Sequence, residues 1–143
     1  MIQLPQDRPR PSKPTFAAGV TRLSLPDGLL PRLEGVARSL RVNAQAVLLA
    51  ALQAVLLRYT GQDDLVVGVP VAGRDRQETH SLVGYFINTL PVRCLASEGA
   101  SFADMVRGAS TATLAALDLA LLPLVEVIAV AGVARVLNAN PLF

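Results

Sequence analysis

Few side chains in this sequence can move a proton or attack a carbon. The chain holds one histidine, His80, with Glu78 and Ser81 beside it, and one cysteine, Cys94. A serine nucleophile needs a base and an orienting carboxylate that converge in space. Glu78, His80 and Ser81 lie together in the polar stretch "AGRDRQETHS", but neighbours along a chain do not point at one another by default. His80 reads as a solvated loop residue, and no catalytic residue is assigned. One cysteine excludes an internal disulfide and a cysteine-cluster metal site, and one histidine excludes a two-histidine ligand set. Cys94 reads as a buried, inert thiol. Asp63 and Asp64 stand in a turn signal and read as solvated. "GVPVAGR" has two glycines without the G-x-x-x-x-G-K spacing of a phosphate loop. No metal site is expected.

Two arginines and an amide–hydroxyl pair carry more information. Arg74 follows an apolar run through "AG", and Arg93 sits inside the apolar stretch "LPVRCL". For each, a structural ion pair is favoured over substrate contact. Asn88 and Thr89 interrupt "SLVGYFINTLPVR". They either turn the chain by bonding local backbone or line a cavity, and the structural role is the weightier.

Regular elements must hold these residues in place. Four prolines, Pro5, Pro9, Pro11 and Pro14, mark residues 1–16 as an extended arm, leaving 17–143 as one domain. "VTRLSL" at 20–25 alternates and predicts a short strand. Asp27 is the expected cap of an amphipathic helix whose face holds Leu29, Leu30, Leu33, Val36, Ala37 and Leu40. Asn43 caps a second helix over 44–59, apolar nearly all round and so expected at the centre of the fold, with Gly61 at its end. "LVVGVPV" at 65–71 predicts a strand buried on both faces. A helical turn near Glu78 and a strand over 90–95 follow. Ser101 and Asp104 form a capping-box pattern before a helical face of Phe102, Met105, Val106, Ala109, Ala112 and Ala116. Pro123 opens a last helix that closes near Gly132. The expected fold is α/β in the order β-α-α-β-loop-β-α-α, with a sheet that looks incomplete.

Composition narrows the function. Net charge is +2 with dispersed basic residues, which excludes a nucleic-acid partner. Charged residues make up 17% of the chain and apolar ones 52%, a thin polar coat that predicts association with a further apolar surface. A homodimer that exchanges the arm or the last helix is expected. The stretch 119–134 contains Pro123, Glu126 and Gly132 and is too short and interrupted for a membrane span. No signal-peptide pattern opens the chain, so the expected location is cytoplasmic.

"LVVGVPVAGRDRQETHSLVGYFINTLPVR" resembles the condensation domains of nonribosomal peptide synthetases. The resemblance to their I/V-G-x-F-V/I-N-T-L-x-x-R motif falls on Val83, Gly84, Phe86, Ile87, Asn88, Thr89, Leu90 and Arg93. "LPQDRPRP" is similar to the linker between the family's halves, and "NPLF" at 140–143 to the start of a later strand. The resemblance implies a portion of the C-terminal half of a chloramphenicol-acetyltransferase-like sandwich. It implies Gly84, Phe86, Asn88, Thr89 and Arg93 as motif residues able to line the cleft, with Arg74 left as a candidate structural ion-pair member. It implies amide-bond formation between thioesters carried on phosphopantetheine arms of carrier proteins, and no cofactor bound directly. The family's H-H-x-x-x-D-G motif cannot exist in a chain with one histidine. A second family motif, H-Q-D-x-P-F-E, falls on 119–125, where Leu119 replaces histidine, Leu121 replaces aspartate and Pro123 remains. Three readings follow: a portion or degenerate copy of a condensation domain, inactive alone; a half-enzyme completed by a histidine-bearing partner; and a docking module without chemistry.

Overall fold

The computed structural model describes residues 2–9, 11, 18–74, 76–97, 99–133 and 142–143. Parts of the proline arm, including Pro14, and Asn140 and Pro141 of "NPLF" lie outside them.

The chain forms α1 (Leu29–Leu40), α2 (Ala44–Thr60), β1 (Asp64–Val71), a 3₁₀ turn (Gln77–Thr79), β2 (Asn88–Leu95), α3 (Phe102–Leu117) and α4 (Leu124–Ala131). The strands pair antiparallel, with Asp64 opposite Leu95 at one end and Val71 opposite Asn88 at the other. The α/β class is as expected. Among the described residues the order is α-α-β-β-α-α, because the anticipated strand at 20–25 does not form. Val20 and Leu23 are each 85% exposed, and no strand pairs with the segment among the described residues. Alternation supplies a face, but a strand also needs a ladder partner.

α2 and α3 cover one face of the β1–β2 ribbon. Val47 and Ala50 of α2, Val69 of β1, Val92 of β2, and Val106 and Ala109 of α3 join Ala37 and Leu49 in one buried cluster. A two-stranded ribbon is marginal by itself, so this cover is what stabilises it. Only Leu65 and Val69 of β1 are buried, correcting the expectation of a strand enclosed on both faces. α2 is likewise half covered. Its buried side holds Ala46, Val47, Leu49, Ala50 and Gln53, while Leu48, Leu52, Val55 and Tyr59 form an exposed stripe. α4 buries none of its residues. Among the described residues no single helix is long and apolar enough to cross a membrane.

The helix ends follow local chemistry. Asn43 Oδ1 accepts from the Ala46 N–H at 2.8 Å. Ser101 and Asp104 form a reciprocal capping box. Gly61 and Gly132 close α2 and α4 in the left-handed region. α1 departs from expectation: Gly28, at φ 78°, is its N-cap, and no side chain accepts there, so Asp27 is not the cap.

The Ser101 cap accounts for orphan donors at the start of the helix that carries Val106 and Ala109 into the core. Ser101→Ala is expected to lower stability by about 1 kcal/mol, read as a shift of the denaturant midpoint with unchanged slope.

Candidate functional site

The motif residues do not form one cluster. Gly84, Phe86, Asn88 and Thr89 lie at the β2-entry end of the ribbon. Arg93 lies five residues further along β2, about 16 Å away at the rise of a strand.

At the near end, a single guanidinium shapes the loop between the strands. Arg74 Nη1 donates to the Thr79 carbonyl and, at 3.0 Å, to the Leu82 carbonyl, and Nη2 donates to the Gly84 carbonyl at 3.5 Å. The guanidinium carbon stacks 4.3 Å from the centroid of the Phe86 ring. The planar fork of arginine suits this combination of several carbonyls and an aromatic face. Arg74 therefore binds backbone in place of the expected ion pair; among the described residues no carboxylate reaches it. Gly73 permits the close approach. It sits at φ 60°, and a Cβ there would overlap the Phe86 carbonyl oxygen.

His80 joins the same framework. Its exposed ring places Nε2 2.9 Å from the Arg74 carbonyl, a contact in which the ring nitrogen donates. Glu78 and Ser81 make no hydrogen bond with it among the described residues.

Asn88 ties this end to the turn between α3 and α4. Its Nδ2 donates to the carbonyls of Ala120 and Leu122, each at 2.8 Å, and its Oδ1 accepts from the Thr89 N–H at 2.9 Å. The amide is thus committed to backbone. The segment it holds, 119–122, is the one whose residues fall on the second family motif. Thr89 is half-buried and pairs with Pro70 across the ribbon. Around these polar ties the surface is apolar. Val83 and Tyr85 project fully or nearly so, with Leu121 at 78% exposure on the adjoining turn.

At the far end Arg93 makes the ion pair that the sequence favoured. Its Nε and Nη2 each lie 2.8 Å from a carboxylate oxygen of Asp64. The bidentate bond from Arg93 holds the Asp64 carboxyl below its ordinary value. Both side chains are largely exposed, which limits what the pair contributes. Asp64, read as a solvated turn residue, is largely exposed but belongs to β1 and is paired. Cys94 is half-buried, and burial followed by the nearby Asp64 charge pushes its thiol up. It remains protonated and a weak nucleophile at neutral pH. Among the described residues no histidine, cysteine and carboxylate group gathers into a metal site. The sequence reading missed Gly73 and the Ala120 and Leu122 carbonyls, since nothing local marks a close approach or a backbone acceptor 32 or 34 residues away.

The family profile of the condensation domain matches residues 1–143. The chain belongs to the condensation-domain family of nonribosomal peptide synthetases. It is 36% identical over its whole length to part of tyrocidine synthase 3 of Brevibacillus parabrevis, spanning 2% of that protein. Over 107 residues, 75% of the chain, it is 46% identical to phosphinothricin tripeptide synthetase PhsB of Streptomyces viridochromogenes, spanning 9% of it. One solved structure, the complex of the X-domain and OxyB from teicoplanin biosynthesis, superposes with a TM-score of 0.92 at 27% identity. The match covers 99% of this chain and 31% of that one. The relatives are parts of multidomain synthetases, and the chain spans a small share of each.

Two variants test these ties. Asn88→Asp replaces a double donor with a carboxylate facing two carbonyl oxygens. It is expected to destabilise more than Asn88→Ala, toward the upper part of the about 1–3 kcal/mol range for a stranded polar group. Hydrogen exchange should speed up at 119–122. For the ion pair, a depressed carboxyl stabilises above its unfolded value and loses that contribution as pH falls through the folded one. Acid titration of stability is therefore expected to fall below the ordinary carboxyl value of 3.8, and Arg93→Met should flatten that fall.

Proposed function

We propose that this chain supplies part of the C-terminal half of a condensation domain and forms no amide bond alone. In this reading the loop organised by Arg74 and the turn held by Asn88 contribute to one wall of the cleft. There, an upstream acyl or peptidyl thioester meets a downstream amine. Both substrates arrive on phosphopantetheine arms of carrier proteins, and the chain itself binds no cofactor directly. The product belongs to secondary metabolism of the antibiotic kind, made in the cytoplasm.

The observation that carries the reading is the family match over 1–143 in a sequence whose one histidine donates to the Arg74 carbonyl. Acyl transfer to an amine needs a group that takes or holds the amine proton. Among the described residues no other imidazole is present, and the Cys94 thiol is held protonated. The proton-handling residue therefore comes from another segment, the one bearing H-H-x-x-x-D-G in the family. This reading favours the half-enzyme over a docking module, because the loop held by Arg74 and the turn held by Asn88 carry residues of both family motifs. Exposed apolar side chains on α2 and α4 also support association, and a homodimer of the isolated chain is part of the proposal.

Amide formation between two loaded carrier proteins tests it. The chain alone is expected to give no product, and addition of a chain bearing the H-H-x-x-x-D-G half should give product. Product from the chain alone overturns the proposal, and no product in the reconstituted mixture favours the docking module. Light scattering that reports a monodisperse monomer removes the homodimer.

A further inference from the structure

α2, the end of β2 and α3 enclose a half-open cavity of ≈ 660 Å³. It lies at the Arg93 end of the ribbon, away from the loop and turn described above. Its volume falls within the roughly 300–1,000 Å³ range of small-molecule sites. Leu57, Leu95, Met105 and Ala109 give it apolar walls.

Gln53 lies at its floor. The residue is 1% exposed, and its Nε2 has no acceptor. Every other buried residue of α2 is apolar, so an amide at this place stands out. A buried donor without a partner is unfavourable, and leucine or methionine would fill the same volume without it. Among the described residues, the two charged side chains at the rim are already neutralised. Arg93 pairs with Asp64 at 2.8 Å, and Asp104 pairs with Arg107 at 3.0 Å. Among the described residues no unpaired charge lines the cavity. The unmet requirement is a single neutral acceptor at the end of an apolar space.

We infer that this cavity binds a neutral, mainly apolar small molecule through a carbonyl oxygen that accepts from Gln53 Nε2. The terminal torsion of glutamine is broad and two-fold, so the amide turns toward an occupant without leaving its rotamer well. The ligand class is an amide, lactam or ester with a compact hydrocarbon body. This inference is independent of the condensation reading, since the cavity shares no wall with the Arg74 loop or the Asn88 turn.

The test titrates the full chain with 1-propyl-2-pyrrolidone, a neutral lactam, and follows the Gln53 side-chain amide by ¹H–¹⁵N NMR. A saturable shift of that amide is expected, with accompanying shifts at Leu57, Leu95 and Met105. Gln53→Met keeps the shape and removes the donor. It should weaken lactam binding about fivefold, the worth of one neutral hydrogen bond, while thermal stability holds or rises. Gly108 lines the same cavity, and a Cβ there meets nothing within 4 Å. Gly108→Leu should therefore leave the fold intact, favoured by better helix propensity, and abolish binding. Absence of a saturable shift at the solubility limit overturns the inference, as does equal affinity in Gln53→Met. Loss of binding in Gly108→Leu supports it only where circular dichroism matches the parent chain; otherwise Gln53→Met decides.

Discussion

The fold depends on the cover that α2 and α3 provide for one face of a two-stranded ribbon. Val92 and Val106 are fully buried at this contact, and Ala50 is too. The small side chains there, Ala50 of α2 and Ala109 of α3, let the helix backbones approach their neighbours closely. They also limit the apolar area removed from water, at roughly 25 cal/mol per Å². The contact aligns β2, and β2 in turn fixes where Asn88 and Arg93 stand. Loosening α3 would therefore disturb both ends of the ribbon at once.

Where helices do not reach, directional bonds take over. Among its described residues the loop between the strands contains one short 3₁₀ turn, and its course is set by the Arg74 guanidinium against successive carbonyls and the Phe86 ring. The turn after α3 is set by the Asn88 amide. The part-buried carbonyls of Thr79 and Ala120 require donors, and these two side chains supply them and also bond the exposed carbonyls of Leu82, Gly84 and Leu122. The Asn88 amide thus interrupts an apolar stretch because the backbone that it binds, at 120–122, is irregular. Gly68 shows a related accommodation on the ribbon face: a Cβ there would come within 2.6 Å of the Phe143 ring, so glycine leaves room for that aromatic.

What the sequence made legible was local. Asn43, Gly61, and the Ser101–Asp104 box act within four residues, and each did what its type and spacing implied. The Arg93 ion pair was also anticipated, though its partner was placed in a turn rather than on the opposite strand. Signals that depend on distant partners were harder to read. Residues 20–25 alternate like a strand but meet no ladder among the described residues. Asp27 has the right type for a cap, yet Gly28 with its positive φ begins α1 instead. For Arg74, charge suggested a carboxylate, whereas geometry provided carbonyls. Asn88 was narrowed to backbone bonding or cleft lining, and the structure commits its amide to backbone. The apolar run of α2 predicted burial all round, but hydrophobicity states a preference and cannot name the surface that meets it.

That unmet preference shapes the rest of the molecule. Leu48, Leu52, Val55 and Tyr59 recur on α2 at spacings of four, three and four residues, all exposed. This is the spacing by which one helix seats against another. Full burial of a large apolar side chain is worth about 1.5–3 kcal/mol, so covering even two of the four would add an amount comparable to a sizeable part of a small domain's stability. α4 carries the same tendency with no buried residue and is held by its approach to β2 beside the Asn88 bonds. Apolar surface of this extent favours association over solvation as a matter of physics. The polar ties at Arg74 and Asn88 then have a second consequence: they keep the neighbouring loop and turn in one arrangement, so a partner meets a shaped surface and loses less conformational entropy on binding.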